Sequence, residues 1–212
     1  MAVLVAGCGG GSSKSAVVIT TTSAAGPTTT LGVTTVPLDA STSPVTSAAV
    51  RDPLEPLLIT AVPAGYVQQA DSVGDTGPSD LAKAISDDGN ADAQTVLTKD
   101  GFVHGYQRLW QNADQQQIVL FLYQFSGAAG ATSYAERSVS QVTSDPSVKT
   151  TSFSVPGVPS AVGLEASDSN GSGAVVVFSK GVYLVQIAVN GATTAGLEAL
   201  AQQVAADQYK RL

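Results

Sequence analysis

From about residue 57 onward the apolar residues of this chain recur at regular spacing, and before residue 53 they do not. Leu57-Leu58-Ile59 leads into Pro63-Ala64-Gly65-Tyr66, which reads as a turn and a short extended piece. Thr76-Gly77-Pro78-Ser79 predicts another turn, with Ser79 as N-cap of a helix whose Leu81, Ala84 and Ile85 share a face. Asp87-Asp88-Gly89 ends that helix. Asn90 can cap a second, short one through Val96 and Leu97, closed by Gly101. Residues 102–110 and 118–125 read as two strands of a hairpin turned at Asn112-Ala113-Asp114. Ser126 then stands before a helix with Ala131, Tyr134, Ala135, Ser138, Val139 and Val142 on one stripe, and Pro146 closes the region.

A strand near 150–155 runs into Pro156-Gly157-Val158-Pro159, which has to turn. Residues 161–165, 174–178 and 182–189 predict three antiparallel strands, turned at Asp168-Ser169-Asn170-Gly171 and at Ser179-Lys180-Gly181. Tyr183, Val185, Ile187 and Val189 alternate onto one face, and Gln186 marks the more exposed one. A last helix from about Thr193 carries Leu197, Leu200, Ala201, Val204 and Ala205 as its core stripe, with Lys210 and Arg211 at its negative end. Residues 53–212 thus predict a globular α+β domain, a mostly antiparallel sheet with helices packed on one face.

Residues 9–52 differ in kind. Of these 44 residues 31 are Ser, Thr, Pro, Ala or Gly, four are charged (Lys14, Asp39, Arg51, Asp52) and none is aromatic. Such a stretch buries too little apolar surface to offset chain entropy, so it predicts a disordered linker. As a random coil it would span about 35 Å. The first eight residues end Val5-Ala6-Gly7-Cys8. Apolar residues, small residues, then the chain's one cysteine and a Gly/Ser stretch resemble the lipobox of bacterial lipoproteins. That resemblance implies cleavage before Cys8, acylation of its sulfur and an extracytoplasmic, membrane-anchored protein. Two or more acyl chains hold stably where one does not. No Lys or Arg precedes Cys8, so residues 1–8 read as a truncated signal segment whose true start lies upstream.

Charge and cysteine content narrow the function classes. The net charge of −7 lies entirely in residues 53–212, which hold 8 basic and 15 acidic side chains. An acidic domain without a basic stripe repels a polyphosphate backbone, so no nucleic-acid partner is expected. One cysteine excludes an internal disulfide and a multi-thiolate metal site.

His104 is the chain's one histidine and stands on a predicted strand with no nucleophile motif beside it, so a structural or surface role is expected. Its strand puts His104, Tyr106, Arg108 and Trp110 on one face, a mixture that makes this face the candidate ligand-binding surface. Core packing is the alternative for the aromatics. Asp87, Asp88, Asn90 and Asp92 are close enough in sequence to offer oxygens to calcium, but they lack the alternation, glycine and glutamate of an EF-hand loop, and helix capping explains them. No metal, cofactor or catalytic residue is expected.

Asp100-Gly101-Phe102-Val103-His104-Gly105-Tyr106, Val155-Pro156-Gly157-Val158-Pro159 and Phe178-Ser179-Lys180-Gly181-Val182-Tyr183 resemble segments of uncharacterised actinobacterial lipoproteins and cell-envelope proteins. More remotely, the layout resembles small α/β sandwiches of the PsbP/Mog1 type, which implies a binding or assembly module. Three functions follow as expectations. The first is a non-catalytic module for an envelope ligand or partner protein, carried on a lipid anchor. The second is a cell-wall hydrolase working through carboxylates such as Asp75, Asp100 or Glu165. The third is a passive envelope spacer.

Overall fold

The computed structural model describes residues 51–168, 171–191 and 195–212. Cys8, the linker up to residue 50, the Ser169-Asn170 turn and the cap expected at Thr193 lie outside them.

Strands β1 (Val67–Gln68) and β2 (Gly77–Ser79) come first, followed by helices α1 (Leu81–Asp88) and α2 (Ala93–Asp100). The hairpin β3 (Phe102–Gln111) and β4 (Gln117–Phe125) leads into α3 (Ala128–Thr143). Then come β5 (Lys149–Phe153), β6 (Val162–Asp168), β7 (Gly171–Lys180), β8 (Tyr183–Gly191) and the closing helix α4 (Leu197–Arg211). The strands form one antiparallel sheet in the order β1-β3-β4-β8-β7-β6-β5, with β2 sharing the outer edge of β3 with β1. The domain is therefore α+β, as the alternation of apolar positions requires.

The helices do not all lie on one face. β4 sends Ile118, Leu120 and Leu122 to one side, where they meet Leu197, Ala201, Val204 and Ala205 of α4. It sends Phe121, Tyr123 and Phe125 to the other, where they meet Ala131, Tyr134 and Ala135 of α3. A strand that is apolar on both sides has to be covered on both, so the expectation of a single helical layer is corrected to a sheet between two.

On the α4 side the helix contacts β6, β7 and β8. The segment 54–59 covers the remainder, with Leu54 and Leu58 fully buried against Tyr106, Trp110 and Ile118. Two side chains of α4 fasten this strap. Gln208 of α4, wholly buried, accepts from the Ile59 N–H at 3.0 Å through Oε1 and donates to the Leu57 carbonyl at 2.9 Å through Nε2. Arg211 adds bonds from Nε and Nη2 to the Pro56 carbonyl.

Several local expectations shift by a residue. Ser79 does not cap α1; it pairs with Gly105 in β2, and Asp80 caps the helix by accepting the Lys83 N–H at 2.8 Å. Ser126 does not cap α3, whose N-cap is Gly127. Asn90 turns its side chain back to Asp88, and Gly89 and Gly101 end α1 and α2 in the left-handed region as read. Gly130 lets α3 lie against the end of α2: a Cβ there would stand 1.8 Å from the Asp100 carbonyl oxygen.

If the strap is part of the core, truncating it leaves a cavity. Leu58→Ala is expected to lower the unfolding free energy by about 2–5 kcal/mol in urea titration. A loss below 1 kcal/mol would mean the strap is only laid on the surface.

Candidate functional site

Of the residues read as a ligand face, all four are engaged or covered from within the chain, and Arg108 Nε and Trp110 Nε1 are buried without a hydrogen-bond partner. His104 Nε2 lies 2.5 Å from Asp52 Oδ2. Tyr106 Oη donates to Asp71 Oδ2 at 2.6 Å, and burial followed by that bond pushes the phenol above its usual range. Arg108 donates to the Ile59 carbonyl at 3.0 Å and stands 3.7 Å from Glu55, its guanidinium over the Tyr106 ring. Trp110 is buried beneath the strap. Exposing this face means lifting Leu54 and Leu58 out of the core, at roughly 1.5–3 kcal/mol each. The face joins strap to sheet.

The other carboxylates considered for hydrolysis are dispersed. Asp75 pairs with Lys83 at 3.2 Å, Asp100 ends α2, and Glu165 sits mid-β6 opposite Thr151 and Ala174.

A polar site that the sequence does not announce lies on the opposite face. Residues 71–92 hold six of the acidic side chains and one lysine, and α1 brings the last of this charge onto the sheet. Adjacent residues on a helix point about 100° apart, so Asp87 and Asp88, 6% and 3% exposed, reach different partners. Asp87 turns to the sheet, accepting from Lys83 Nζ at 3.0 Å, from Tyr123 Oη at 3.1 Å and, very closely, from Gln107 Nε2. Asp88 turns to α3, where Tyr134, Arg137 and Gln141 share one stripe. It accepts from Tyr134 Oη at 2.6 Å, from Arg137 Nη2 at 3.1 Å and Nε at 3.2 Å, and from Gln141 Nε2 at 3.3 Å. Arg137 also holds Asp92. Asp87 and Asp88 are thus buried members of a network, not helix caps.

Their titrations move in opposite directions. Burial raises the Asp87 carboxyl, outweighing Lys83, Gln107 and Tyr123, which pull it down. Burial also pushes Asp88 up, but the bonds from Arg137, Tyr134, Asn90 and Gln141 outweigh it and bring that carboxyl to about 2. Tyr123 and Tyr134 are pushed above the phenol range, first by burial and then by Asp87 and Asp88 respectively. Both keep their protons and donate them to the carboxylates.

Between α1, α3, β4 and β8 lies a partly open space of about 20 Å³, lined by Phe121, Tyr123 and Leu184 as well as by Asp87, Asp88, Tyr134, Ser138, Gln141 and Gln186. That is room for one water-sized group. Gln186, expected on the exposed face, is 8% exposed and lies between Leu184 and Ala188 on the α3 side. Its side-chain amide makes no hydrogen bond among the described residues. The acidic run from Asp87 to Asp92, and a polar residue at one step of an otherwise apolar alternation, were the signals in the sequence for this site; their partners come from α3, far along the chain.

No family model matches the chain, and neither does the sequence of any curated protein. Among solved structures it resembles the extracellular domain of PknH from Mycobacterium tuberculosis, at 10% identity and a TM-score of 0.43 over 69% of this chain and 83% of that one. A likeness this low lends nothing to the reading of the site.

The opposed titrations give a pH signature. Asp88 has its folded pKa below the unfolded value of roughly 3.9, so its contribution is whole above that value and is lost as pH falls towards about 2. Asp87, raised, acts in the other sense, its contribution fading as pH rises through its folded pKa. Asp88→Asn is expected to cost about 3 kcal/mol at pH 7, because it leaves the half-buried Arg137 with only the exposed Asp92 as a charged partner. Denaturant titrations between pH 7 and 2 should show that difference shrinking below about pH 4; a constant difference would mean that ionisation of Asp88 contributes nothing.

Proposed function

We propose that this chain is an extracytoplasmic, membrane-anchored binding module, acylated at Cys8 and carrying its ligand seat between α1, α3 and the sheet. The anchor reading rests on Cys8 in its lipobox-like setting and on the Ser/Thr/Pro/Ala/Gly composition of residues 9–52. The way the domain begins agrees with it. Asp52 accepts the Leu54 N–H at 2.8 Å and meets His104, so the chain is fastened to the sheet from the first residues of the domain. Residues N-terminal to Asp52 can then carry the domain without contributing to its core.

The observation that carries the binding reading is the small space between α1, α3, β4 and β8, where Gln186, Ser138 and Gln141 stand beside the Asp87–Asp88 network. Binding fits this site better than hydrolysis. The Asp88 carboxylate is saturated by donors from Tyr134, Arg137, Gln141 and Asn90, which leaves it no capacity to act as a nucleophile or to take up a proton.

Metabolic labelling of the natural host with an alkyne analogue of palmitate tests the anchor. The chain, expressed in that host from its own gene, should take the label and sediment with membranes, and Cys8→Ser should lose both. An unlabelled wild-type chain in the soluble fraction would overturn the lipoprotein reading.

A further inference from the structure

Residues 52–59 lie against the domain as a bound peptide lies in its groove. Their backbone hydrogen bonds to one another stay within the segment, from the N–H groups of Glu55, Leu57 and Leu58 to the carbonyls of Asp52, Leu54 and Glu55. The segment joins no ladder of the sheet. Every hydrogen bond that leaves it, among the described residues, ends on a side chain of the domain. Gln208 bonds the Ile59 N–H and the Leu57 carbonyl, Arg211 the Pro56 carbonyl, and Arg108 the Ile59 carbonyl. Side chains that bond carbonyls and N–H groups hold a backbone whatever its sequence. Sequence enters through Leu54 and Leu58, buried in one cluster with Tyr106, Trp110 and Ile118, and through Asp52 and Glu55, which face His104 and Arg108.

The fit of this internal occupant is incomplete on its charged side. A carboxylate meets a guanidinium best through two parallel bonds, and Nε with Nη2 forms one edge that accepts it so. Arg108 is 3% exposed, yet its Nε has no hydrogen-bond partner and its Nη2 stands 3.7 Å from Glu55 Oε1, beyond hydrogen-bond distance. Trp110 Nε1 is a second donor on the same strand face buried without an acceptor. Donors buried unpaired weaken the closed arrangement.

We propose that the groove between α4 and β3 is a peptide-binding site, which residues 52–59 fill as a removable internal ligand until an acidic, leucine-bearing segment of a partner protein takes their place. The partner segment supplies what the strap does not, a carboxylate on the Nε–Nη2 edge of Arg108 and an acceptor for the Trp110 indole N–H. Its leucines enter the seats of Leu54 and Leu58, and Gln208 and Arg211 bond its backbone. A basic segment would meet Arg108 with like charge, and a small anion would leave the leucine seats empty.

This groove shares no residue with the space between α1 and α3, and it requires no lipid anchor, so its test is separate from both.

Two measurements on the full-length chain test it. Amide hydrogen exchange of the unmodified chain compares the Ile59 N–H, bonded to Gln208, with those of Leu120 and Leu122 in the middle of the sheet. A strap that leaves its groove while the sheet stays folded makes Ile59 exchange at least about a hundredfold faster. Equal protection would mean that the groove opens only on unfolding, and would overturn the proposal. The second measurement follows the anisotropy of a fluorescein-labelled peptide with the sequence of residues 51–60. The chain carries Asp52→Asn with Glu55→Gln, which loosens its own strap and keeps both leucines; Glu55→Gln alone serves if the pair unfolds. This variant should bind the peptide saturably and at least about tenfold more tightly than the unmodified chain, whose strap competes at high effective concentration. Trp110, the one tryptophan, reports the same event by its emission. Changing Leu54→Ser or Glu55→Lys in the peptide should weaken binding by about tenfold or more. No saturable binding, or equal binding of a peptide with the same composition in scrambled order, would overturn the proposal. So would dimerisation of the unmodified chain through exchanged straps, which would give the groove to a second copy.

Discussion

β4 and β8 run through the middle of the sheet with apolar side chains on both faces, and neither face can be left to water. On one face α4 and the strap 54–59 divide the task, with Gln208 joining them. On the other, α1, α2 and α3 form the cover. The two-sided requirement explains why the short segment after residue 52 belongs to the core and why α1 and α3 are pressed close enough for their charges to be buried between them. Closing the second face over Gln186 leaves a polar residue in an otherwise apolar layer, beside a small partly open space.

The two polar regions of the domain are satisfied differently. The face of β3 with His104, Tyr106, Arg108 and Trp110 is rich in recognition chemistry by type, but Asp52, Glu55, Asp71 and the Ile59 carbonyl answer it from within the chain. The region around Asp87, Asp88 and Gln186 looks less distinctive in type, yet it borders a small open space, whereas the β3 face lies under the strap with Arg108 Nε and Trp110 Nε1 buried without a partner.

Much of the fold was legible because its signals are local. Period-two alternation located β3, β4 and β8, and the glycines after α1 and α2 marked their ends. The alternation could not say that both faces of β4 were buried by helices, since Phe121 and Tyr123 on one side and Ile118 and Leu120 on the other are equally compatible with a face left to solvent or a partner. Gln186 was misplaced for the same reason: a glutamine among valines and leucines signals exposure unless a helix is known to lie over it. The pairing of Asp88 with Tyr134, Arg137 and Gln141 spans 46 to 53 residues, and no pattern within α1 foretells it.

A neutron crystal structure of the deuterium-exchanged protein tests the hydrogen-bond network around Asp87 and Asp88 most directly, because it shows where each hydrogen points. The account predicts the Tyr134 deuterium on the Asp88 side, the Ser138 deuterium on the Tyr134 carbonyl, and Gln186 with no protein partner. A hydroxyl deuterium directed into the space, or a Gln186 amide bonded to a neighbouring side chain, would contradict it.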